Sequence, residues 1–457
     1  MDLVLRSKRV VPPNGGAPVS ATVHVRGGVI DRVDAYEAPS PPGAAFEDLG
    51  DLVLMPGLVD THVHVNEPGR TEWEGFATAT RAAASGGVTT IVDMPLNASP
   101  PTTTLAAFEA KAAATEGQIA VDVALTGGVV PGNLAELRAL VDAGCVAFKC
   151  FLVESGVDDF GHVGEGELRR AMPILADVGA PLLVHAELAG PIDEALRAQG
   201  NLSDAELVRY VRWLESRPRE AENAAVGLVV RLAHATGAHA HVVHLSSSDA
   251  VAAIRAARDA GARVSAETCP HYLFFASEDV PDGATEYKCA PPIRERHNRE
   301  RLWEALAQET VSQIVTDHSP APASLKCSDS GDFMRAWGGI ASLELGLSAT
   351  WTEASARGFD VTRMAEWMCA APARLVGLGG RKGAIAPGYD ADFVAWDPDG
   401  ERVVDADALH QRHKLTPYAR RTLAGVVHAT YVRGRKVYAA GAHVGPPAGR
   451  LLRRGRA

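Results

Sequence analysis

Apolar runs ending in chemically capable residues recur through the middle of this chain. They are LVDTHVHV from Leu58, VTTIVDM from Val88, VDVAL from Val121, CVAFKCFL from Cys145, PLLVHAE from Pro181, AHVVHLSS from Ala240, RVSAETC from Arg263 and QIVTDHS from Gln313. Ala-rich stretches of helical texture separate them, such as WEGFATATRAAASGG from Trp73 and SDAVAAIRAARDAGA from Ser248. The latter opens on serines and closes on Gly261, a cap at each end. Eight apolar strands alternating with helices predict parallel strands joined by crossovers.

The simplest closure of that pattern is a (β/α)8 TIM barrel, with an open doubly wound sheet as the competitor. No Gly-rich dinucleotide fingerprint follows the early strands, which weakens the competitor. Both chain ends read differently, as short strands with polar punctuation: DLVLR, ATVHVRGG and VIDRVDA at the start, then GAIAPGYDADFVAWDPDG and GVVHATYVRGRKVYAAG after Leu378. The expected organisation is α/β. A small composite β-sandwich is formed by residues 1–54 and 378–445, a barrel by 55–377, and a solvated, mobile basic tail by 446–457.

Composition narrows the partners. The chain has 457 residues, 45 Lys+Arg against 56 Asp+Glu and a formal net charge of -11. No basic tract outweighs that acidic background, which argues against nucleic-acid or anionic-membrane partners. Six cysteines without a CxxC pair predict free thiols in a reducing compartment. The opening MDLVLRSKRVVPPNGG lacks a signal-peptide apolar region, and no run approaches membrane-spanning length. A cytoplasmic protein is the expectation.

In a barrel, chemistry sits where strands end and the following loops begin. The strand ends here offer His62 and His64, Lys149, His185, His244 and Asp317. Side chains two apart on a strand share a face, so His62 and His64 share either a hydrogen-bond network or a metal. A single strand-end histidine is more often a core residue. Ligand-type residues at the same end of five strands instead form a metal inventory. His241 opens its strand and points away from His244, so it belongs to the core. Lys149 lies among apolar residues, where desolvation lowers an ammonium's pKa. Its neutral amine can then take up CO2 as a carbamate that bridges two cations, the alternative being a pair with Glu187. Asp317 can bind a metal and act as general base and then acid. His318, Glu267 and His271 are expected to support rather than to ligate.

At PGLVDTHVHV, FKCF, HAE, VVHLSS, ETCPHYL, KCAPPIR, TDHSP and GAIAPGYDADFVAWD, in that order along nearly the whole chain, the sequence resembles the cyclic amidohydrolases of the amidohydrolase superfamily: hydantoinases, dihydropyrimidinases, dihydroorotases and allantoinases. The resemblance implies a barrel flanked by a composite β domain. It also implies a homotetramer and two divalent ions, zinc before cobalt, manganese or iron, held by His62, His64, N6-carboxylated Lys149, His185, His244 and Asp317. Asn66 replaces the carboxylate-binding arginine of dihydroorotases, and the segment after Lys149 lacks the tyrosine usual in hydantoinases. Both departures are similar to the allantoinase branch, which implies hydrolysis of allantoin to allantoate. Asn66, Ser319, Ala290 and Gly338 are then the expected substrate contacts, Ser319 or a loop N–H serving as oxyanion donor and Ala290 and Gly338 acting through their backbones. Arg70 is a further candidate for the ureido group. The rival readings are a different ring preference or, in another class, a non-catalytic oligomeric scaffold; such relatives lose metal ligands, and all six are present.

Overall fold

The structure is a computed structural model describing residues 2–455. It opens with strands β1 (Leu3–Val10), β2 (Val19–Arg26), β3 (Val29–Ala35), β4 (Ala45–Asp48) and β5 (Val53–Pro56). Nine strands follow: β6 (Leu58–Val63), β7 (Val88–Asp93), β8 (Asp122–Leu125), β9 (Gly127–Gly128), β10 (Phe148–Phe151), β11 (Leu182–His185), β12 (Ala240–Val242), β13 (Val264–Thr268) and β14 (Gln313–Ile314). The last are β15 (Phe393–Val403), β16 (Thr422–Val432), β17 (Arg435–Ala439), β18 (Ala442–His443) and β19 (Leu451–Leu452).

Every pairing among β6 to β14 is parallel. One arc runs β6–β7–β8 and another β9 through β14. Backbone bonds from Val146 N to Leu125 O and from Gly127 N to Ala147 O tie the arcs together on one side. On the other, a parallel bridge between Val63 and His318 links the segment after β14 to β6. These strands are buried almost throughout, with Leu125, Phe148, Val184 and Val242 at 0–1 % exposure. Burial on both faces is why they read as unbroken apolar runs instead of alternating ones. Helices such as Phe76–Ser85, Glu165–Val178 and Arg219–Thr236 cover the outside.

Both chain ends contribute to a single nine-stranded sheet, ordered β18–β17–β16–β15–β5–β1–β2–β3 with β4 on β1. Its own apolar cluster includes Leu5, Val23, Ile30, Leu54, Phe393 and Tyr431. Because β5 pairs with β15 through Pro56–Phe393, the passage into the parallel strands falls at Gly57, slightly later than residue 54. A Cβ at Gly57 would lie 2.2 Å from the Thr89 side chain, so the crossing needs glycine.

The expectation of a solvated tail over 446–457 is corrected as far as residue 455; Arg456 and Ala457 lie outside the described residues. Leu451 and Leu452 form β19, pairing in parallel with Val123 and Ala124 of β8, and Leu452 is 5 % exposed. The arginines are placed by helix ends. Arg453 donates to Ala143 O at 2.7 Å, and Arg454 to Gly179 O at 2.8 Å. Ala143 ends the helix Glu136–Ala143, and Gly179 follows Glu165–Val178. Cationic side chains suit the unpaired carbonyls there.

Candidate metal centre and cavity

The six expected residues come together. His62 closes on the end of β6 with His64 just beyond; Lys149 is in β10, His185 ends β11, and His244 and Asp317 follow β12 and β14. None is more than 7 % exposed. His62 Nε2 lies 3.2 Å from Asp317 Oδ1 and 3.4 Å from Lys149 Nζ, and His64 Nε2 lies 3.5 Å from the same Asp317 oxygen. On the other side, His185 Nδ1 and His244 Nε2 approach to 2.9 Å. The His62 and His244 ring centroids are 5.3 Å apart, which makes one cluster of the two halves.

Buried carboxylates aim this cluster. Glu267 Oε1 accepts from His62 Nδ1 at 2.6 Å. A carboxylate only accepts, so the proton sits on Nδ1 and the Nε2 lone pair faces inward. Glu267 Oε2 accepts from His241 Nε2 at 2.9 Å and from Gln313 at 3.1 Å. His241 is thus fully buried and sits one carboxylate away from His62, supporting the cluster through Glu267. Glu187 Oε2 accepts from His185 Nε2 at 2.7 Å and from Arg217 at 2.5 Å, so it is not the partner of Lys149. Asp60 takes the backbone N–H of His62 and both the N–H and the hydroxyl of Thr316, fixing the segments that carry His62 and Asp317 together. His318 Nδ1 accepts from the Ser342 and Leu343 amides and serves the fold. The backbones of His244 and Asp317 take φ of 37° and 46°, a left-handed conformation that costs about 1–3 kcal/mol and concentrates at working sites.

Burial sets the protonation states. It lowers His62 and His244 well below the ordinary imidazole value and lowers His185 as well, leaving neutral rings with lone pairs. Lys149 is brought down to about 8 by desolvation, against the pull of Asp317 and Glu267. Burial would raise Asp317, but the hydrogen bond and charge of His64, with His271 and Lys149, outweigh it and hold the carboxyl below its usual range.

This donor set fits cations. A neutral His62 places a lone pair against a carboxylate oxygen at 3.2 Å, a contact that is repulsive unless a cation lies between them. Four ligand atoms around an ion at 2.0–2.1 Å stand about 3.3 Å apart in a tetrahedron, close to the 3.2 and 3.5 Å seen at Asp317. Ligand atoms of His62, His64 and Asp317 all fall within 4.8 Å of one another. His244 Nδ1 is buried with no hydrogen-bond partner. The cluster forms the floor of a cavity of about 360 Å³.

A model of the amidohydrolase family matches residues 53–437. The chain belongs to the amidohydrolase family. The allantoinase of Streptomyces avermitilis is 50 % identical over 99 % of both chains. That of Arabidopsis thaliana is 39 % identical over 98 % of this chain and 90 % of its own, and that of Saccharomyces cerevisiae is 44 % identical over 86 % and 84 %. Among solved structures, the L-hydantoinase (dihydropyrimidinase) of Arthrobacter aurescens superposes with a TM-score of 0.91, at 31 % identity over 98 % of this chain and 99 % of that one. As an amidohydrolase family member with such relatives, the chain is a hydrolase of cyclic amides.

Of the expected substrate contacts in this amidohydrolase, Ser319, Ala290 and Gly338 line the cavity. Ser319 donates to Asp317 Oδ1 at 3.2 Å, so its hydroxyl already has an acceptor. Asn66 is not among the residues that line the cavity. It is buried at φ 68°, neither polar atom of its side chain has a partner, and its carbonyl accepts from Arg70 N. Arg70 is likewise a loop residue, donating to Asn97 O at 2.7 Å. The sequence reasoning missed Asn97, Phe151, Trp213, Arg217, Lys288 and Arg335 on the wall. Asn97 was findable, because its amide reaches His64 Nδ1 at 3.3 Å from the loop after a strand already identified. Phe151 was findable too, since it ends β10 two residues after Lys149. Trp213, Arg217, Lys288 and Arg335 come from loops and short helices that have no periodicity.

Proposed function

We propose that this chain hydrolyses the hydantoin ring amide of allantoin to allantoate. The observation that carries this reading is 50 % identity, over 99 % of the chain, to an allantoinase. In our reading β6 to β14 close as a (β/α)8 barrel, spanning about residues 55–377, beside a composite β domain from residues 1–54 and 378–445. His62, His64, Lys149, His185, His244 and Asp317 hold two divalent ions, with zinc the first candidate and cobalt, manganese or iron the alternatives. Lys149, lowered to about 8 in a buried setting, supports a carbamate as the bridging ligand. The six unpaired thiols are compatible with the cytoplasm, and a homotetramer is the assembly we expect.

When bound, such ions polarise a ring carbonyl and acidify water. The chain's own groups do the rest. Asp317, held ionised beside His64, accepts the proton of the attacking water. The water oxygen bonds to the ring carbonyl carbon, the ring C–N bond breaks, and Asp317 returns the proton to the departing nitrogen. Glu187 and Glu267 keep His185 and His62 in one tautomer and one orientation throughout. The Trp213 face and the backbones of Ala290 and Gly338 enclose the ring.

Steady-state rates on allantoin, hydantoin, dihydrouracil and dihydroorotate test the reading, with and without chelator. Allantoin should have the highest kcat/KM, and chelation should abolish it until metal is restored. Preference for dihydrouracil or another hydantoin would favour the hydantoinase-like alternative that the solved neighbour represents.

A further inference from the structure

The loop carrying Arg335 is held from beneath by two buried lysines. Lys288 Nζ donates to Met334 O at 3.1 Å and Ala336 O at 2.5 Å, while Lys326 Nζ donates to Trp337 O at 3.0 Å and to Gly339 O. Both lysines are 4 % exposed. Four carbonyls of a six-residue stretch therefore turn inward. Trp337 N donates to Leu325 O and Gly339 N to Lys288 O, and the Trp337 ring packs edge-on against Trp73 at 4.9 Å. A backbone pinned in this way leaves the Arg335 side chain for the cavity, which it lines together with the histidine cluster.

The other charged groups on that wall are engaged. Arg217 is bound to Glu187, Lys288 to carbonyls, Glu154 to His162, Lys149 to His62, and Asp317 to His62, His64 and Ser319. Among the described residues lining the cavity, Arg335 is the charged side chain without an ion-pair or hydrogen-bond partner for its head group. It is also exposed, so it reaches solvent at the mouth. With the scissile ring amide at the histidine cluster, an acyclic arm on the ring points away from the floor. In allantoin that arm is a ureido group with one carbonyl acceptor, and a guanidinium offers a planar fork of donors to it.

We propose that Arg335 is a specificity-determining residue whose guanidinium receives the ureido carbonyl of the substrate's acyclic arm. This inference rests on the allantoin reading. The test compares wild type, Arg335→Ala and Arg335→Lys, all zinc-loaded, on allantoin, on hydantoin (which lacks the arm) and on hydantoin-5-acetate (whose arm is a carboxylate). Where hydantoin binds without turnover, its inhibition constant against allantoin replaces the rate. For Arg335→Ala, kcat/KM on allantoin should fall about ten- to a hundredfold, mainly through KM, as expected for loss of a charge-assisted hydrogen bond. Hydantoin should change by no more than about twofold, Arg335→Lys should recover part of the loss, and the melting temperature should stay put. Hydantoin-5-acetate, whose carboxylate pairs with a guanidinium, should lose at least as much as allantoin. Equal losses on allantoin and hydantoin, no loss on allantoin, or no loss on hydantoin-5-acetate would each overturn the assignment. Failure of the parent reading shows elsewhere, as a wild type that does not turn over allantoin, and it takes this inference with it.

Discussion

Replacing Lys149 by methionine should destroy turnover and yet stabilise the metal-free protein. Lys149 is fully buried and, among the described residues, has no carboxylate in ion-pair contact; its Nζ makes a hydrogen-bond contact with His62 Nε2 at 3.4 Å. Desolvation brings its pKa from the ordinary 10.5 to about 8. Below pH 8 the amine is protonated in folded and unfolded chains alike, and the folded state bears the whole cost of the buried charge. At about 1.4 kcal/mol per tenfold change, that cost is about 3 kcal/mol. Between pH 8 and 10.5 the unfolded chain still binds the proton while the folded one has released it, so wild-type stability rises with pH across that window. Methionine fills a similar volume with no charge. Its advantage should therefore be about 3 kcal/mol at pH 7, about 2 kcal/mol at pH 9, and nearly gone by 10.5. With an unfolding entropy of about 2.1 cal/mol/K per residue, 457 residues unfolding together translate 3 kcal/mol into about 3 °C. The assay is thermal melting of chelated protein in CO2-free buffer from pH 7 to 9.5, beside allantoin turnover of the metal-loaded forms. A Met variant that melts below wild type at pH 7, or a gap that does not change with pH, would refute the reasoning. Near-normal turnover in that variant would remove Lys149 from the centre altogether.

Other outcomes follow from buried groups. Burial pushes Glu187 up, but Arg217 and His185 dominate and bring it down to about 2. Glu187→Gln, which strands the partly buried Arg217, should lower stability at pH 7 by about 3–5 kcal/mol. Because a depressed carboxylate stabilises above its unfolded value, near 4.5, and loses that effect on acidification, the gap in urea midpoints should narrow between pH 5 and pH 3. Iodoacetamide at pH 8 should modify Cys327 alone in native protein: burial pushes Cys150 and Cys289 up to about 12, and only Cys327 of the six is partly accessible. Rapid alkylation of Cys150, read by mass spectrometry, would contradict the packing around Lys149. Truncation after Pro447 should lower the melting temperature, since it removes β19 from β8 and with it the burial of Leu452, which alone contributes about 2 kcal/mol. A melting curve unchanged by truncation would restore the free-tail reading.

The legibility of the site in the sequence has a physical boundary. In a parallel strand buried on both faces, the side chain at the carboxyl end emerges beside its counterparts from other strands, so strand ends can be read as one rim without knowing distances. That is why His62, Lys149, His185, His244 and Asp317 could be assembled from five separate runs, and why the position of His241 at the start of its strand assigned it to the core. The rule says nothing about groups that arrive from loops. Asn66 follows the histidine pair in sequence, yet the chain turns left-handed there and its side chain does not reach the cavity. Arg335 is 271 positions beyond His64 and shares a cavity with it because Lys288 and Lys326 hold the carbonyls of an irregular loop. The tail misled for a related reason. Its strand is only Leu451–Leu452, too short to show a period, and the arginines that suggested solvent are fixed by the carbonyl ends of two helices distant in sequence. The residues that would perform the chemistry are fixed by strand geometry and are local to a pattern. Those that would choose the substrate are fixed by hydrogen bonds to partners far along the chain, so ring opening could be read from the sequence while recognition of the arm required coordinates.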